Sequence, residues 1–308
     1  MSLARNILLR MSHSRWLADQ VTRRGFTRRA VQRFMPGEEV TDALAAAQTL
    51  SQSGLGTVLT QLGENLTTLD EADRVREHYL GVFDQLKGRG SSIHVSVKPT
   101  QLGLDLSGDA CDAHLQVLAA KAEATGSFLW LDMEDSSYVD RTLDLFRRLR
   151  KNHPKLGVCL QSYLHRTPTD LESLLPLAPA IRLVKGAYAE PQQVAFAAKK
   201  DTDRAFYELG SRLLAAAAGG GAYPIFGSHD LPLVRRMVDR ARELGVKDGA
   251  YEIHMLYGIR SAEQQALAKE GRVVRTLISY GRSWFPWYMR RLAERPANVW
   301  FVLKSLAS

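Results

Sequence analysis

Cysteine is scarce: the 308-residue chain has only Cys111 and Cys159. Two cysteines build no disulfide framework, which reads as a reducing compartment. No C-x-x-C and no clustered Cys/His spacing occurs, so a structural zinc is not expected. No apolar run reaches the length of a membrane span, and there is no secretory h-region. No G-x-G-x-x-G stands between a strand-like and a helix-like stretch, which argues against a dinucleotide-binding doubly wound sheet. Acids are missing from the first 36 residues, where Asp19 stands alone against eight arginines.

That last absence governs the reading of charge. The N-terminal 36 residues carry about +7 of the formal +8, and the rest is nearly neutral. A basic character this local weakens a nucleic-acid reading of the whole chain. An Arg-rich, acid-poor leader suits a transit peptide, a basic helix on an anionic membrane, or solvated helices covering the domain. Over the whole chain 45% of residues are apolar and 24% charged, a globular composition that suffices for one large domain with a substantial core or for two small ones.

Eight short apolar runs follow, at 57–60, 93–98, 128–132, 157–161, 181–185, 223–227, 251–255 and 273–277. Amphipathic stretches such as 139–151 and 231–244 separate most of them. Asp70-Glu71 suits a helix start, and Gly219-Gly220-Gly221 suits a helix stop. Eight buried strands alternating with helices imply parallel pairing through right-handed crossovers, hence an α/β fold of the (β/α)8 TIM-barrel type.

In such a barrel the active site lies at the C-terminal strand ends. Several runs there turn polar: Glu64 just past the first, then Lys98, Asp132 with Glu134, Gln161, Arg182 and Lys185, Ser228 with His229, and Tyr280. Each alone could be a strand end meeting water. Their joint placement on one rim is what a polar ligand needs. After the last run, Ser283 could cap a helix with Pro286 in its first turn. On that helix Tyr288 and Arg291, and Arg290 and Glu294, share faces. Two adjacent arginines suit a carboxylate, although the same spacing also fits a plain surface helix.

At these residues the chain resembles proline dehydrogenase, the FAD-dependent family of proline catabolism. The resemblance is carried by Ser96-Val97-Lys98-Pro99-Thr100, Leu131-Asp132-Met133-Glu134-Asp135, Gln161-Ser162-Tyr163 and Arg182-Leu183-Val184-Lys185-Gly186-Ala187-Tyr188. Gly227-Ser228-His229-Asp230, Tyr251-Glu252-Ile253-His254-Met255-Leu256-Tyr257-Gly258 and Tyr288-Met289-Arg290-Arg291-Leu292-Ala293-Glu294 extend it. It implies a distorted barrel with extra N-terminal helices and a last helix over the mouth. The organisation expected is a basic helical segment over 1–50 and a flavin-binding catalytic barrel over 51–308, one domain overall.

The resemblance further implies roles. Arg290 and Arg291 would hold the substrate carboxylate, with Lys98, Asp132 and Tyr288 completing the cage. Tyr280 would pack on the proline ring opposite Leu256. Arg182 would lie near the flavin N5, and Lys185, Gly186 and Ala187 along the ring and ribityl side. Met133, Gln161, Ser228 and His229 would make further FAD contacts, and Glu64 and Glu294 supporting ion pairs. Larger bifunctional members have Trp where this chain has Ala189, and the usual threonine before the histidine is Ser228 here. The implied reaction is oxidation of L-proline to Δ1-pyrroline-5-carboxylate by hydride transfer to FAD. Electrons would pass to a membrane quinone, the location would be cytoplasmic or peripheral at the inner membrane face, and pyrroline-5-carboxylate dehydrogenase could dock.

Three rival readings stay open on the residues alone. Lys98 or Lys185 could be the nucleophile of a Schiff-base aldolase. The N-terminal arginines could bind nucleic acid, though no aromatic-basic interleaving supports it. His94, His229 and His254 could hold a hydrolytic metal, against which stands the commoner fate of a lone histidine as a hydrogen-bonded core residue.

Overall fold

Eight parallel strands close into one barrel in the computed structural model, which describes residues 31, 33–63, 66–88, 92–285 and 288–289. They are β1 (Gly56–Gln61), β2 (Ile93–Val97), β3 (Leu129–Leu131), β4 (Leu156–Gln161), β5 (Ala180–Val184), β6 (Tyr223–Gly227), β7 (Glu252–Leu256) and β8 (Val274–Tyr280). Each pairs with its neighbours in chain order, and β8 returns to β1. All eight apolar runs are therefore strands of one (β/α)8 barrel.

The helices are α1 (Val40–Ser51), α2 (Leu69–Gln85), α3 (Gly108–Ala124), α4 (Val139–Arg150), α5 (Thr167–Leu174), α6 (Lys199–Ala218), α7 (Leu231–Glu243) and α8 (Ser261–Lys269). The acidic start expected at Asp70-Glu71 is a capping box. The Thr68 hydroxyl accepts from the Glu71 N–H at 3.4 Å, and the Glu71 carboxylate accepts from the Thr68 N–H at 3.2 Å. The glycine run does end α6. Helix α1 buries Ala43, Leu44 and Ala47. Just before it the chain crosses the loop after β7 so closely that a Cβ on Gly258 would lie 1.6 Å from the Arg33 carbonyl oxygen.

The main core lies between strands and helices, and a smaller one fills the barrel. Inside, Val58, Trp130, Ala180 and Ile225 meet from β1, β3, β5 and β6. The indole takes space that β4 leaves open, since a Cβ on Gly157 would come within 2.3 Å of its ring. A side chain there would overpack the interior, typically at about 1–3 kcal/mol.

The extent of β8 matters most for the site. The apolar run suggested an end at residue 277, but pairing with β1 continues from Gly56–Arg275 to Gln61–Tyr280. Alternation therefore persists to residue 280 and fixes which side chains face the barrel.

Candidate active site

A cavity of about 480 Å³ opens at the C-terminal ends of the strands. The strand ends bring Lys98, Asp132, Met133, Gln161, Arg182, Lys185, Gly186, Ala187, Ser228, His229 and Leu256 to it, all singled out in the sequence.

Arg182 anchors the polar side. It is 3% exposed and points inward from β5. Its Nη2 donates to Ser96 Oγ at 2.8 Å and to Asp132 Oδ1, and its guanidinium lies 5.3 Å from the Trp130 ring centroid. Ser96 Oγ also donates to Asp132 Oδ1 at 2.9 Å, so one carboxylate oxygen gathers both groups. The other oxygen stands 4.0 Å from Lys98 Nζ. Nη1 of Arg182 is buried with no hydrogen-bond partner among the described residues. Such a group typically costs about 1–3 kcal/mol, more when charged, and points to a partner that binds there.

Lys98 is held from behind. Glu134, which follows β3, accepts from the Thr100 N–H at 3.2 Å and the Thr100 hydroxyl at 2.6 Å. That ties the turn after β2 to the loop bearing Asp132. Gln161 donates to the Glu134 carbonyl at 2.7 Å.

Lys185 is bound differently. Its Nζ contacts Asp203 at the start of α6 and lies 2.7 Å from Asp230, which caps α7; Lys199 joins both carboxylates. Burial would raise the pKa of Asp230, but Lys185 and Lys199 outweigh it and hold it at about 2. Gly186 follows with φ of +117°, against the Tyr163 ring, where a Cβ would fall 2.2 Å from Cδ1. His229 Nε2 accepts from the Leu256 N–H at 2.8 Å, fastening the β6 loop to β7.

Two expected contacts are not brought to the cavity. Tyr280 is 1% exposed and shares a 2.7 Å hydrogen bond with His78 Nε2 on α2. It sits on the outer face because β8 continues past residue 277; Leu277 and Ser279 face the cavity instead. Tyr288 packs against Trp284 and Phe34, with ring centroids 6.1 and 6.4 Å away. Glu64, Arg290, Arg291 and Glu294 lie outside the described residues.

Sequence reasoning missed Ser96, Leu277, Ser279 and the cavity-facing side of His254. A strict period-two count along β2, β7 and β8 would have found them. The three histidines weighed as metal ligands hold other partners: His94 accepts from Trp130 Nε1 at 3.2 Å, His229 from Leu256, and His254 pairs with Glu252 at 2.8 Å. Among the described residues no three His, Cys, Asp or Glu groups converge as a metal site would require.

Comparison with known proteins places this geometry. The family profile described as Proline dehydrogenase matches residues 43–304. Proline dehydrogenase 1 of Bacillus subtilis subsp. natto is 34% identical over 304 residues, covering 99% of both chains. Proline dehydrogenase of Deinococcus radiodurans is 35% identical over 284 residues, 89% of each. Among solved structures, proline utilization A (PutA) from Bdellovibrio bacteriovorus, inactivated by N-propargylglycine, superposes with a TM-score of 0.80 at 23% identity. That match covers 86% of this chain and 32% of the larger one, and it speaks to the fold.

Proposed function

Since the chain belongs to the proline dehydrogenase family and is an oxidoreductase acting on proline, we propose that it converts L-proline to Δ1-pyrroline-5-carboxylate with FAD as cofactor and a membrane quinone as final acceptor. The observation that carries this reading is the Arg182 fork: one arm fixed by Asp132 and Ser96, the other buried at the cavity without a partner.

The cavity residues fit a flavin. Gly186 and Gly227 keep its wall low, since a Cβ on either would clash with Tyr163 or Val184. Met133, Ala187 and Leu256 add apolar surface, and Gln161, Ser228 and His229 stand beside them. A flavin held by these residues would supply the two-electron acceptor that oxidation of proline requires. Arg182 would direct a cationic donor at the negative charge that develops. Asp132 holds Arg182 and stands beside Lys98, so it acts here as an organiser of cations. Lys98 would face the substrate carboxylate, a role the resemblance gives also to Arg290 and Arg291; charge-assisted pairs are the strong contacts that proline offers.

An ultraviolet–visible spectrum tests the whole reading. The purified protein should show flavin bands that bleach anaerobically on adding proline. A colourless protein that takes up no FAD, or bands that proline leaves unchanged, would refute it.

The arginines of residues 1–36 would hold the chain at an anionic cytoplasmic membrane surface near the quinone, at roughly 1 kcal/mol per basic residue close to the lipid. Among the described residues no helix is long and apolar enough to cross a membrane. Vesicle sedimentation at low and high salt tests this: no salt-sensitive binding to anionic vesicles would remove the membrane role. The product's own dehydrogenase is the partner expected to dock, and a ternary mixture showing no transfer advantage over free diffusion would remove it.

A further inference from the structure

Below the cavity the barrel interior is polar where β7 and β8 meet. Glu252, His254 and Leu256 follow one another inward along β7, as Arg275, Leu277 and Ser279 do along β8. Glu252 is 1% exposed and accepts four hydrogen bonds. Arg275 supplies two, from Nε at 2.7 Å and Nη2 at 2.9 Å. The Tyr223 hydroxyl supplies one at 2.8 Å, and His254 Nε2 supplies the fourth at 2.8 Å. Burial pushes the pKa of this carboxylate up, but the His254 hydrogen bond and the Arg275 charge outweigh it and hold the pKa well below the usual range.

An ionised carboxylate only accepts, so the hydrogen of the His254 ring sits on Nε2. Burial, followed by the charges of Arg182 and Arg275, lowers the His254 pKa to about 4 even against Glu252. The ring is therefore neutral near pH 7, and Nδ1 presents a bare lone pair. That nitrogen is buried with no partner among the described residues, and His254 lines the cavity. Three other cavity-lining residues share this condition: Arg182 at Nη1, Ser279 at Oγ and Thr60 at Oγ1. An acceptor, a donor and two hydroxyls, all unmatched at one cavity, make a set complementary to a ligand edge that offers both hydrogen-bonding senses.

We propose that His254 is a ligand-binding residue of this site, its Nδ1 accepting a hydrogen bond from an N–H group of the molecule bound in the cavity. The inference rests on the function proposed above, which brings two such donors: the pyrimidine N–H of the flavin ring and the secondary amine of proline. A neutral acceptor suits either. An imidazolium would turn Nδ1 into a donor and add a positive charge between Arg182 and Arg275, with His94 also nearby. Glu252 and Arg275 are positioning residues, since they act by fixing the tautomer.

The test uses the full chain with His254→Gln and His254→Leu. Glutamine keeps an amide for Glu252 and a carbonyl acceptor; leucine keeps neither. FAD is titrated into apoprotein, and proline is compared with its oxolane analogue, whose ring N–H is an ether oxygen, by the change in the flavin spectrum. If the donor is the flavin, leucine weakens FAD binding on the order of tenfold, glutamine restores part of it, and the proline-to-analogue ratio is unchanged. If the donor is the proline amine, FAD affinity holds and the preference for proline over the analogue falls on the order of tenfold. Equal affinities for FAD, proline and analogue in the leucine variant and the wild type would overturn the inference. Should the leucine variant fail to fold, ¹⁵N NMR of the wild-type imidazole decides: the Nδ1 resonance should shift when FAD or proline binds, and no shift with either overturns it. A wild-type protein that takes up no FAD refutes the function above instead, which separates the two failures.

Discussion

Arg182 and Lys185 stand three residues apart at the end of one strand, and the protein treats their charges in opposite ways. Arg182 points into the barrel, 3% exposed, with half its fork paired and half left for the cavity. Lys185, past the strand end, keeps 23% of its side chain exposed and gives its ammonium to Asp203 and Asp230. A guanidinium can satisfy a structural carboxylate and still present a donor edge, whereas an ammonium bracketed by two carboxylates is close to neutralised. The inner position is therefore suited to chemistry, and the rim position to latching the loops that carry Gly186 and Ser228. Of the two cations, Arg182 is the one whose geometry suits it to face the charge of a reduced flavin.

Replacing each cation should separate the two regions. Arg182→Met removes an oriented donor and leaves Asp132 to Ser96 and Lys98 alone. The rate of flavin reduction by proline should fall roughly 10²–10³-fold in whatever holoenzyme forms. Arg290→Met, by contrast, should raise the proline KM while sparing the reduction rate at saturation. Stopped-flow reduction at several proline concentrations distinguishes them. A normal limiting rate in Arg182→Met would remove it from the chemistry.

Acid should take the two regions apart in different windows. His254 has a folded pKa of about 4, below its ordinary 6.5, so the unfolded chain binds more protons between those values. Stability from the floor is then fully present above about pH 6.5 and is lost as pH falls towards 4. At about 1.4 kcal/mol per pH unit for one proton, the loss is roughly 3 kcal/mol at most. Burial, with the neighbouring Arg275 charge, lowers His94 in the same sense. On the rim, Asp230 is held at about 2 against an ordinary 3.8, so its contribution survives to about pH 4 and is lost below. It is smaller, about 1–2 kcal/mol once solvent screening is allowed for. Denaturant unfolding from pH 7 to 2.5 should show His254→Gln flattening the upper window and Asp230→Asn the lower. Either variant changing both windows would mean that floor and rim are one network.

Lys185→Met should do less than any change at Arg182. It leaves Asp203 and Asp230 to Lys199 alone, loosening the loop after β5. FAD affinity should drop by about tenfold or less and the melting temperature by a few degrees, with the limiting reduction rate nearly intact. A rate loss matching Arg182→Met would show that the rim charge reaches the reacting atoms after all.

What the sequence disclosed about these regions follows from what sets each of them. Strand ends such as Lys98, Asp132, Gln161 and Arg182 were legible, because a barrel puts its site where apolar runs turn polar. Which carboxylate takes which cation was not, since Asp203 and Asp230 reach Lys185 from helices 18 and 45 residues away. Ser96 and His254 were hidden inside strands, where a polar residue looks like a satisfied core group. Tyr280 was misplaced by the length of β8. Three residues beyond the apolar run, Ile278, Ser279 and Tyr280, extend the strand through pairing with β1, and no local signal marks that.

The smallest expected effect is therefore at Tyr280. An aromatic against the substrate ring would set selectivity between proline and 4-hydroxyproline, and its loss would change the ratio of kcat/KM values. On the outer face of β8 the ring instead fills the space between barrel and α2, and its hydroxyl bonds to His78. Tyr280→Phe keeps the packing and removes that one hydrogen bond, a cost of about 0.5–1.5 kcal/mol of stability. Both substrates should be affected equally, if at all. Leu277, midway along β8 and facing the cavity with Leu256, is the side chain whose truncation should change the ratio. Shortening an apolar wall discriminates by roughly 10–200-fold at most, so Leu277→Ala should change the preference by no more than that. Measuring kcat/KM for both substrates in the two variants decides between the faces of the strand. A shifted ratio in Tyr280→Phe with an unshifted one in Leu277→Ala would put the aromatic back over the substrate and the end of β8 out of register.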